Sequence, residues 1–344
     1  MSKPQLINFY SLQPLEVLSN MEARYLLKSY EAGNRDFAGV DLRGADLGGM
    51  TLVDINLEGA NLTGANLSRA FLTKANLSGA FLNWADLRFT KLSEGCLIDA
   101  DLTKANLHGA FMVKADLSKA KLSGANVSHV NLRGACLKRA NLCGATMQGV
   151  NLRSALLTGA NLNWANLRGA RLSGAILQGA FLNGVNLAEA FLNGVDLHEI
   201  DLTGVDMTAA KLNGSNLQAA HLATSNLKEA KLRGANLAGA DLTGANLEQA
   251  FLGSANLKWT NLSGANLRRS DLRDASVLGV KIEGAELQGI VLPEVTRRYL
   301  CLMTTGDSLW AHKARKALHC GLEKPSAVAT PALNVPMNGS LVAT

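Results

Sequence analysis

Residues 59–80 read GANLTGANLSRAFLTKANLSGA. Leu62, Leu67, Leu72 and Leu77 fall every fifth residue, and each has an alanine two places earlier, at Ala60, Ala65, Ala70 and Ala75. A period of five matches neither the helix period of about 3.6 nor the strand period of 2. On an α-helix five residues advance about 500°, so the leucines would drift round the cylinder and form no stripe. Extended chain can use the pattern. Taking the leucine as position i, residues i−2 and i lie on one face of a strand, and i+1 and i+2 are left to turn a corner.

Outward from this stretch the phase never slips. The apolar position i recurs at every residue number ending in 2 or 7 from Phe37 to Leu292, which gives 52 consecutive pentapeptides over residues 35–294 without an insertion or deletion. Leucine fills 45 of the 52 centres; Phe37, Met112, Val127, Met147, Met207, Val277 and Ile282 fill the rest. Position i−2 is alanine or another small or apolar residue, with no charge after Arg35. Glycine holds i+2 in 26 repeats, as at Gly59, Gly64 and Gly79, where a corner demands positive φ. Each pentapeptide is one side of a coil. Four equal sides close a square of 20 residues, although three or five sides would fit the same pattern.

The A-(N/D)-L-x-x motif, as in Ala60-Asn61-Leu62, Ala65-Asn66-Leu67 and Ala235-Asn236-Leu237, resembles that of the pentapeptide repeat proteins, over about three quarters of the chain. The resemblance implies an all-β solenoid, a right-handed quadrilateral β-helix with i and i−2 inward. Four pentapeptides per coil would give about 13 coils, and ~4.8 Å between stacked strands a rod roughly 60 Å long.

The chain divides at the ends of the repeat. Residues 1–34 are an N-terminal segment, 35–294 the β-helix, 295–322 a C-terminal cap and 323–344 a tail expected to be disordered. Solenoid ends leave unpaired strand edges that need covering. Ser19 and Glu22 have capping-box spacing, and Leu26, Leu27 and Tyr30 give a short amphipathic helix over about 20–32 that ends at Gly33. A second helix is expected from Asp307 or Ser308, with Trp310, Ala314, Ala317 and Leu318 on one side and Gly321 as its stop. This C-terminal segment either caps the rod or joins two copies as a dimer. The tail KPSAVATPALNVPMNGSLVAT has three prolines and few charges, the composition of a segment without a core.

Composition narrows the function. Of 344 residues 47% are hydrophobic but only 5% aromatic, so the core is built from leucine and alanine. No apolar run reaches the roughly 18 residues of a membrane span, and the start has no signal-peptide core. Five scattered cysteines point to a reducing compartment and not to a disulfide scaffold, hence a cytoplasmic protein. Cys96 and Cys136 would lie two coils, roughly 9.6 Å, apart, beyond disulfide reach. His108 and His129 are neighbours on adjacent coils but lack further ligands for a metal, and Cys301, His312, His319 and Cys320 are not at zinc-site spacing. No nucleophile elbow, phosphate loop or paired catalytic groups are present. No catalytic, cofactor or metal residues are therefore assigned.

If residues 20 apart stack, the outward positions sort into faces. Position i−1 at numbers ending in 6 is mostly Asn or Asp, whereas at numbers ending in 1 it varies and holds six phenylalanines. Four of these, Phe71, Phe111, Phe191 and Phe251, share one face. That face also carries Lys74, Lys91, Lys114, Arg133, Arg153, Arg171, Lys211, Lys231, Arg233 and Arg273, ten cations against the acids Asp54, Glu94, Asp271, Asp274 and Glu294. These phenylalanines and all the cations but Arg273 form the candidate partner-binding face. Along the axis, residues 102–178 hold ten Lys/Arg against Asp116 alone, and residues 179–210 hold five acids and no Lys or Arg.

An enzyme needs a concave pocket with convergent polar groups, which an uninterrupted convex rod does not supply. Among the resembled family's activities is DNA mimicry toward a type II topoisomerase by an acidic rod, but this chain has a net charge of +6 and a pI near 9.1. Direct nucleic-acid binding has the right sign of charge, yet thinly spread and with few aromatic–basic pairs. The reading that remains is a non-catalytic interaction scaffold or regulator whose rigid surface meets an unidentified, acidic protein partner.

Overall fold

The computed structural model describes residues 15–321; the expectation of a disordered tail over 323–344 lies outside the described residues. The leucine period becomes a parallel ladder. Asp36 bridges Asn56, Asn56 bridges Asn76, and the pairing of i−1 residues twenty apart runs on to Asp271 and Val291, interrupted at Ile176–Asp196 and Phe181–Asp201. Twenty residues thus make one turn of four sides, and the alternatives of three or five are removed. Each step is held by backbone bonds: Leu102 N–H donates to the Lys121 carbonyl at 2.7 Å, and Asp101 N–H to the Ala80 carbonyl at 2.9 Å.

The residues at i and i−2 fill the axis. Leu62, Leu82, Leu102 and Leu162 have no exposed surface, nor have Ala60, Ala80 and Ala100. Polar residues at i−2 enter the core only with a bond in hand; the Thr90 hydroxyl, fully buried, donates to the Leu67 and Leu87 carbonyls at 2.8 Å. At the corners every fifth residue from Gly39 to Gly289 has positive φ, glycine or not, as at Lys104 (58°) and Ala219 (53°).

The preference for Asn or Asp at i−1 has a local cause. Its side-chain oxygen accepts the N–H of i+1, as Asn76 does from Ser78 at 3.1 Å, which pins the turn. Asparagine adds a donor and so climbs from coil to coil: Asn226 Nδ2 donates to Asp206, Asn246 to Asn226 and Asn266 to Asn246, at 3.3, 3.1 and 3.2 Å. A carboxylate has no hydrogen to give, and Asp206 stands at the foot of this column.

Three helices flank the coils. α1, Leu15–Glu31, begins earlier than the capping-box spacing of Ser19 and Glu22 suggests. It buries Ala23 and Leu26, and the Tyr30 hydroxyl donates to the Val53 carbonyl at 2.9 Å. α2, Glu294–Met303, was not expected from the sequence; its β-branched Val295 and Thr296 hide a short helix that starts behind Pro293. α3, Leu309–Ala317, starts where expected, with the Ser308 hydroxyl accepting the Ala311 N–H at 3.1 Å, and His319 and Gly321 take positive φ beyond it. Two aromatic side chains occupy ladder positions that a further coil would have taken. Gly279 N–H donates to the Tyr299 hydroxyl at 3.0 Å, and Trp310 Nε1–H donates to the Ala285 carbonyl at 3.0 Å.

The cysteine reading needs correction. Cys301, in α2, and Cys320, just past α3, form a disulfide with Cα atoms 5.8 Å apart. The chain turns back after α2, where Arg315 donates to the Thr304 and Gly306 carbonyls, and so unites two cysteines whose spacing of 19 signals nothing in the sequence. Cys96, Cys136 and Cys143 are free thiols. The inference of a reducing compartment from cysteine count therefore loses its support. No helix among the described residues is long and apolar enough to cross a membrane.

Candidate functional site

The ladder places the predicted face residues in register. Phe71, Lys91, Phe111, Asn131, Asn151, Arg171, Phe191, Lys211, Lys231, Phe251 and Asp271 follow one another in a single column of parallel bridges. Arg133, Arg153 and Arg233 stand two residues along on the same side, and Lys74 and Lys114 at its corner, where the Lys114 stem lies 3.6 Å from the site of a Cβ on Gly134. Phe111 and Phe251 are each about half exposed, at 47% and 49%, and Phe71 is 38% exposed.

Within the column the cations do different things. The Lys91 ammonium lies 4.3 Å over the Phe71 ring and that of Lys211 3.6 Å over Phe191. Such pairs satisfy one another at a gain of about 0.5–1 kcal/mol at exposed sites. Arg273 is bonded to Asp271 in fork geometry, at 2.6 and 2.9 Å, and its guanidinium holds the Asp271 carboxyl below the usual carboxylate range. Lys114, Arg133, Arg153 and Arg171 are exposed, and among the described residues none has a carboxylate at salt-bridge distance. Some cations on other sides find partners, as in Arg88–Asp86, Lys121–Asp101 and Arg168–Glu189, whereas Arg69, Lys138 and Arg139 are exposed, but not as a run on consecutive coils. The sequence located this run; which of its neighbours are already occupied is legible only in three dimensions.

Other candidates stay isolated. The His108 and His129 rings meet edge-on at 5.5 Å, and no group of three or more metal-ligating side chains exists among the described residues. Trp84 and Trp164 are exposed on corners, Trp84 beneath the Lys104 ammonium at 4.4 Å.

One feature escaped the sequence reading. Between Gly174 and Asp206 the ladder opens: the bridges of Ile176 to Asp196 and of Phe181 to Asp201 are missing. A cleft of about 640 Å³ lies there, lined by Ile176, Phe181, Asp196, Glu199 and Asp201 among others. A signal was present in the sequence. Val195, Ile200 and Val205 are the only run of three consecutive β-branched residues at position i−2.

These residues build a parallel solenoid with four five-residue sides per turn. The chain belongs to the pentapeptide repeat family: the family description, pentapeptide repeats (8 copies), matches in stretches lying between residues 36 and 289. Its coils accordingly form a right-handed quadrilateral β-helix. HetL, a pentapeptide repeat protein involved in heterocyst differentiation regulation in the cyanobacterium Nostoc sp. strain PCC 7120, is 31% identical over 78% of this chain and 96% of its own, with a TM-score of 0.26. A pentapeptide repeat protein of the Arabidopsis thaliana thylakoid lumen is 30% identical over 38% of this chain and 92% of its own, with a TM-score of 0.24. QnrB1, a plasmid-mediated fluoroquinolone resistance protein, is 17% identical over 75% of this chain and 99% of its own, with a TM-score of 0.17. No curated protein sequence matches the chain.

Proposed function

We propose that this protein is a non-catalytic interaction scaffold or regulator, a rod of about 13 coils capped by α1 at one end and by α2 and α3 at the other, that presents its basic and aromatic face to an acidic protein partner. The observation that carries the reading is the run Lys114, Arg133, Arg153 and Arg171: four exposed cations on consecutive coils, about 4.8 Å apart along the axis, without carboxylate partners. Like charges so close repel, and exposed charges add little to folding, so stability does not account for them. Phe111 and Phe191 frame the run and supply apolar contact of the kind interfaces use. HetL, 31% identical, is described as involved in heterocyst differentiation regulation. Inhibition of a topoisomerase by DNA mimicry is disfavoured, because the net charge is +6 and many of the acids are engaged by neighbouring Arg or Lys.

The test is the triple change Lys114→Glu, Arg133→Glu, Arg153→Glu, in a pull-down from the source cell with the partner identified by mass spectrometry. The variant keeps the parent's far-UV spectrum and thermal midpoint and loses the partner, and raised salt weakens the parent's association, since exposed charges are screened within about 8 Å at physiological ionic strength. Equal recovery of the partner by a folded triple variant would refute the reading.

A further inference from the structure

The opened seam between residues 174 and 206 is built from the sequence and is confined to three sides of one turn. In the turn below, Leu157 N–H donates to the Ile176 carbonyl and Phe181 N–H to the Ala160 carbonyl, at 2.8 and 2.9 Å. At the seam the equivalent amides of Gly174, Leu177, Gly179, Leu182 and Gly184 on the lower lip, and of Asp196, Asp201 and Asp206 on the upper, have no backbone partner. Above the seam the ladder resumes, with Asn216 N–H on Val195 and His221 N–H on Ile200, both at 3.0 Å.

The cause is overpacking. Asp196, Asp201 and Asp206 are the three residues of the upper lip that fail to donate downward, and each directly follows one of the run Val195, Ile200 and Val205. A single valine at this position is tolerated: the ladder is intact around Val130 and Val150. Nor does a carboxylate above an aromatic ring open the stack, since Phe81 and Asp101 still bridge. Three enlarged inward residues in succession add methyl groups that a close-packed core answers by moving backbone. Ile200 shows 8% exposure at the seam, while Ile176 and Phe181, 47% and 56% exposed, are open to solvent to about the degree of Phe81 (50%) in the intact ladder.

What the cleft offers is specific. On each open side the lips present a short unpaired backbone edge before the chain turns a corner, the N–H groups of Leu177 and Gly179 and then of Leu182 and Gly184 below, and of Asp196 and Asp201 above; unpaired edges of this kind are what β-augmentation pairs with. Its apolar surface is Ile176, Leu177, Ala180 and Phe181, and Asp196, Glu199 and Asp201 line the same cleft. Residues 179–210 contain no Lys or Arg to neutralise them; His198 lies 3.2 Å from Glu199.

We propose that the seam is a second binding site, distinct from the basic face, that takes up an extended, lysine- or arginine-bearing peptide segment of a partner protein as an added strand. The backbone edges supply the bonds, the apolar side chains a surface for alternate residues of the segment, and the three carboxylates the preference for positive charge.

The test uses the whole protein and the acetylated, amidated peptide KVKLKVK. Hydrogen exchange read amide by amide should first show Leu177, Gly179, Leu182 and Gly184 exchanging faster than Leu157, Gly159 and Leu162 one coil below. Adding the peptide should slow the seam amides and no others. The same peptide with glutamate for lysine, or with alternate backbone nitrogens methylated, should protect them far less. The double change Asp196→Asn, Asp201→Asn should weaken binding about tenfold, equivalent to about 1.4 kcal/mol. The triple change Val195→Ala, Ile200→Ala, Val205→Ala, which restores the usual alanines, should close the ladder and abolish binding. Seam amides as slow as their neighbours, no protection by the basic peptide, equal protection by the acidic one, or protection that rises with protein concentration alone (a second copy as the occupant) would each overturn the proposal. The Lys114, Arg133, Arg153 variant leaves the seam untouched, so failure of one site is distinguishable from failure of the other.

Discussion

Replacing Leu102 by lysine probes whether the axis is sealed. Leu102 is fully buried between Leu82 and Leu122 in one inward column, and the ladder above it is intact. Losing a buried leucine costs about 1.5–3 kcal/mol. Desolvation adds the larger part: it depresses a fully buried lysine by about 3–5 pKa units, of which only the roughly 3.4 units between pH 7 and the unfolded value near 10.4 count at neutral pH, at about 1.4 kcal/mol each, hence about 4–5 kcal/mol. The sign of the pH dependence follows. With the folded pKa below the unfolded value near 10.4, the unfolded state holds the extra proton at neutral pH, and stability rises with pH. Between pH 7 and 10 the variant should therefore recover about 4 kcal/mol relative to the parent, at about 1.4 kcal/mol per unit. Urea unfolding at pH 7, 8.5 and 10, with the parent subtracted at each pH, measures this. Leu102→Met serves as the volume-conserving control, with a cost under about 1.5 kcal/mol. A penalty that stays flat from pH 7 to 10 would mean that the ammonium reaches water, and the sealed axis would be refuted.

Three further outcomes are expected. Reducing the Cys301–Cys320 bond, or changing both cysteines to alanine, should release about 3 kcal/mol of loop-closure stabilisation, seen as faster amide exchange in α2 and α3 with the central coils unchanged. Asn246→Ala removes the bonds to Asn226, Asn266 and Glu248 N–H at 3.1, 3.2 and 3.1 Å and should cost about 1–3 kcal/mol in chemical unfolding. Asp86 is held below its usual range by the Arg88 side-chain hydrogen bond, so its small contribution is present above the unfolded carboxylate pKa and fades as pH falls through the lowered folded value. The difference in thermal midpoint between the parent and Asp86→Asn should accordingly shrink between pH 7 and pH 2.

Much of the candidate face was legible because the repeat has no insertions. Once residues 20 apart stack, Phe71, Phe111, Phe191 and Phe251 fall on one side by arithmetic, and so do Lys114, Arg133, Arg153 and Arg171. What arithmetic omits is the company each side chain keeps: Lys91 and Lys211 turn onto rings, and Arg273 is taken by Asp271.

The sequence by itself determined the period, the inward residues and the corners, because each pentapeptide carries its own instructions: a leucine for the axis, a small residue beside it, and an Asn or Asp whose side chain closes the turn. The number of sides and everything at the boundaries waited for the tertiary structure. Closure at four depends on bonds between residues 20 apart, and the ends depend on Tyr299 and Trp310 reaching ladder positions that no coil fills. The disulfide depends on the chain's return after α2. The seam came from the same level, since Val195, Ile200 and Val205 are each acceptable in a single repeat and exceed the available space only when three coil sides must close on the turn below.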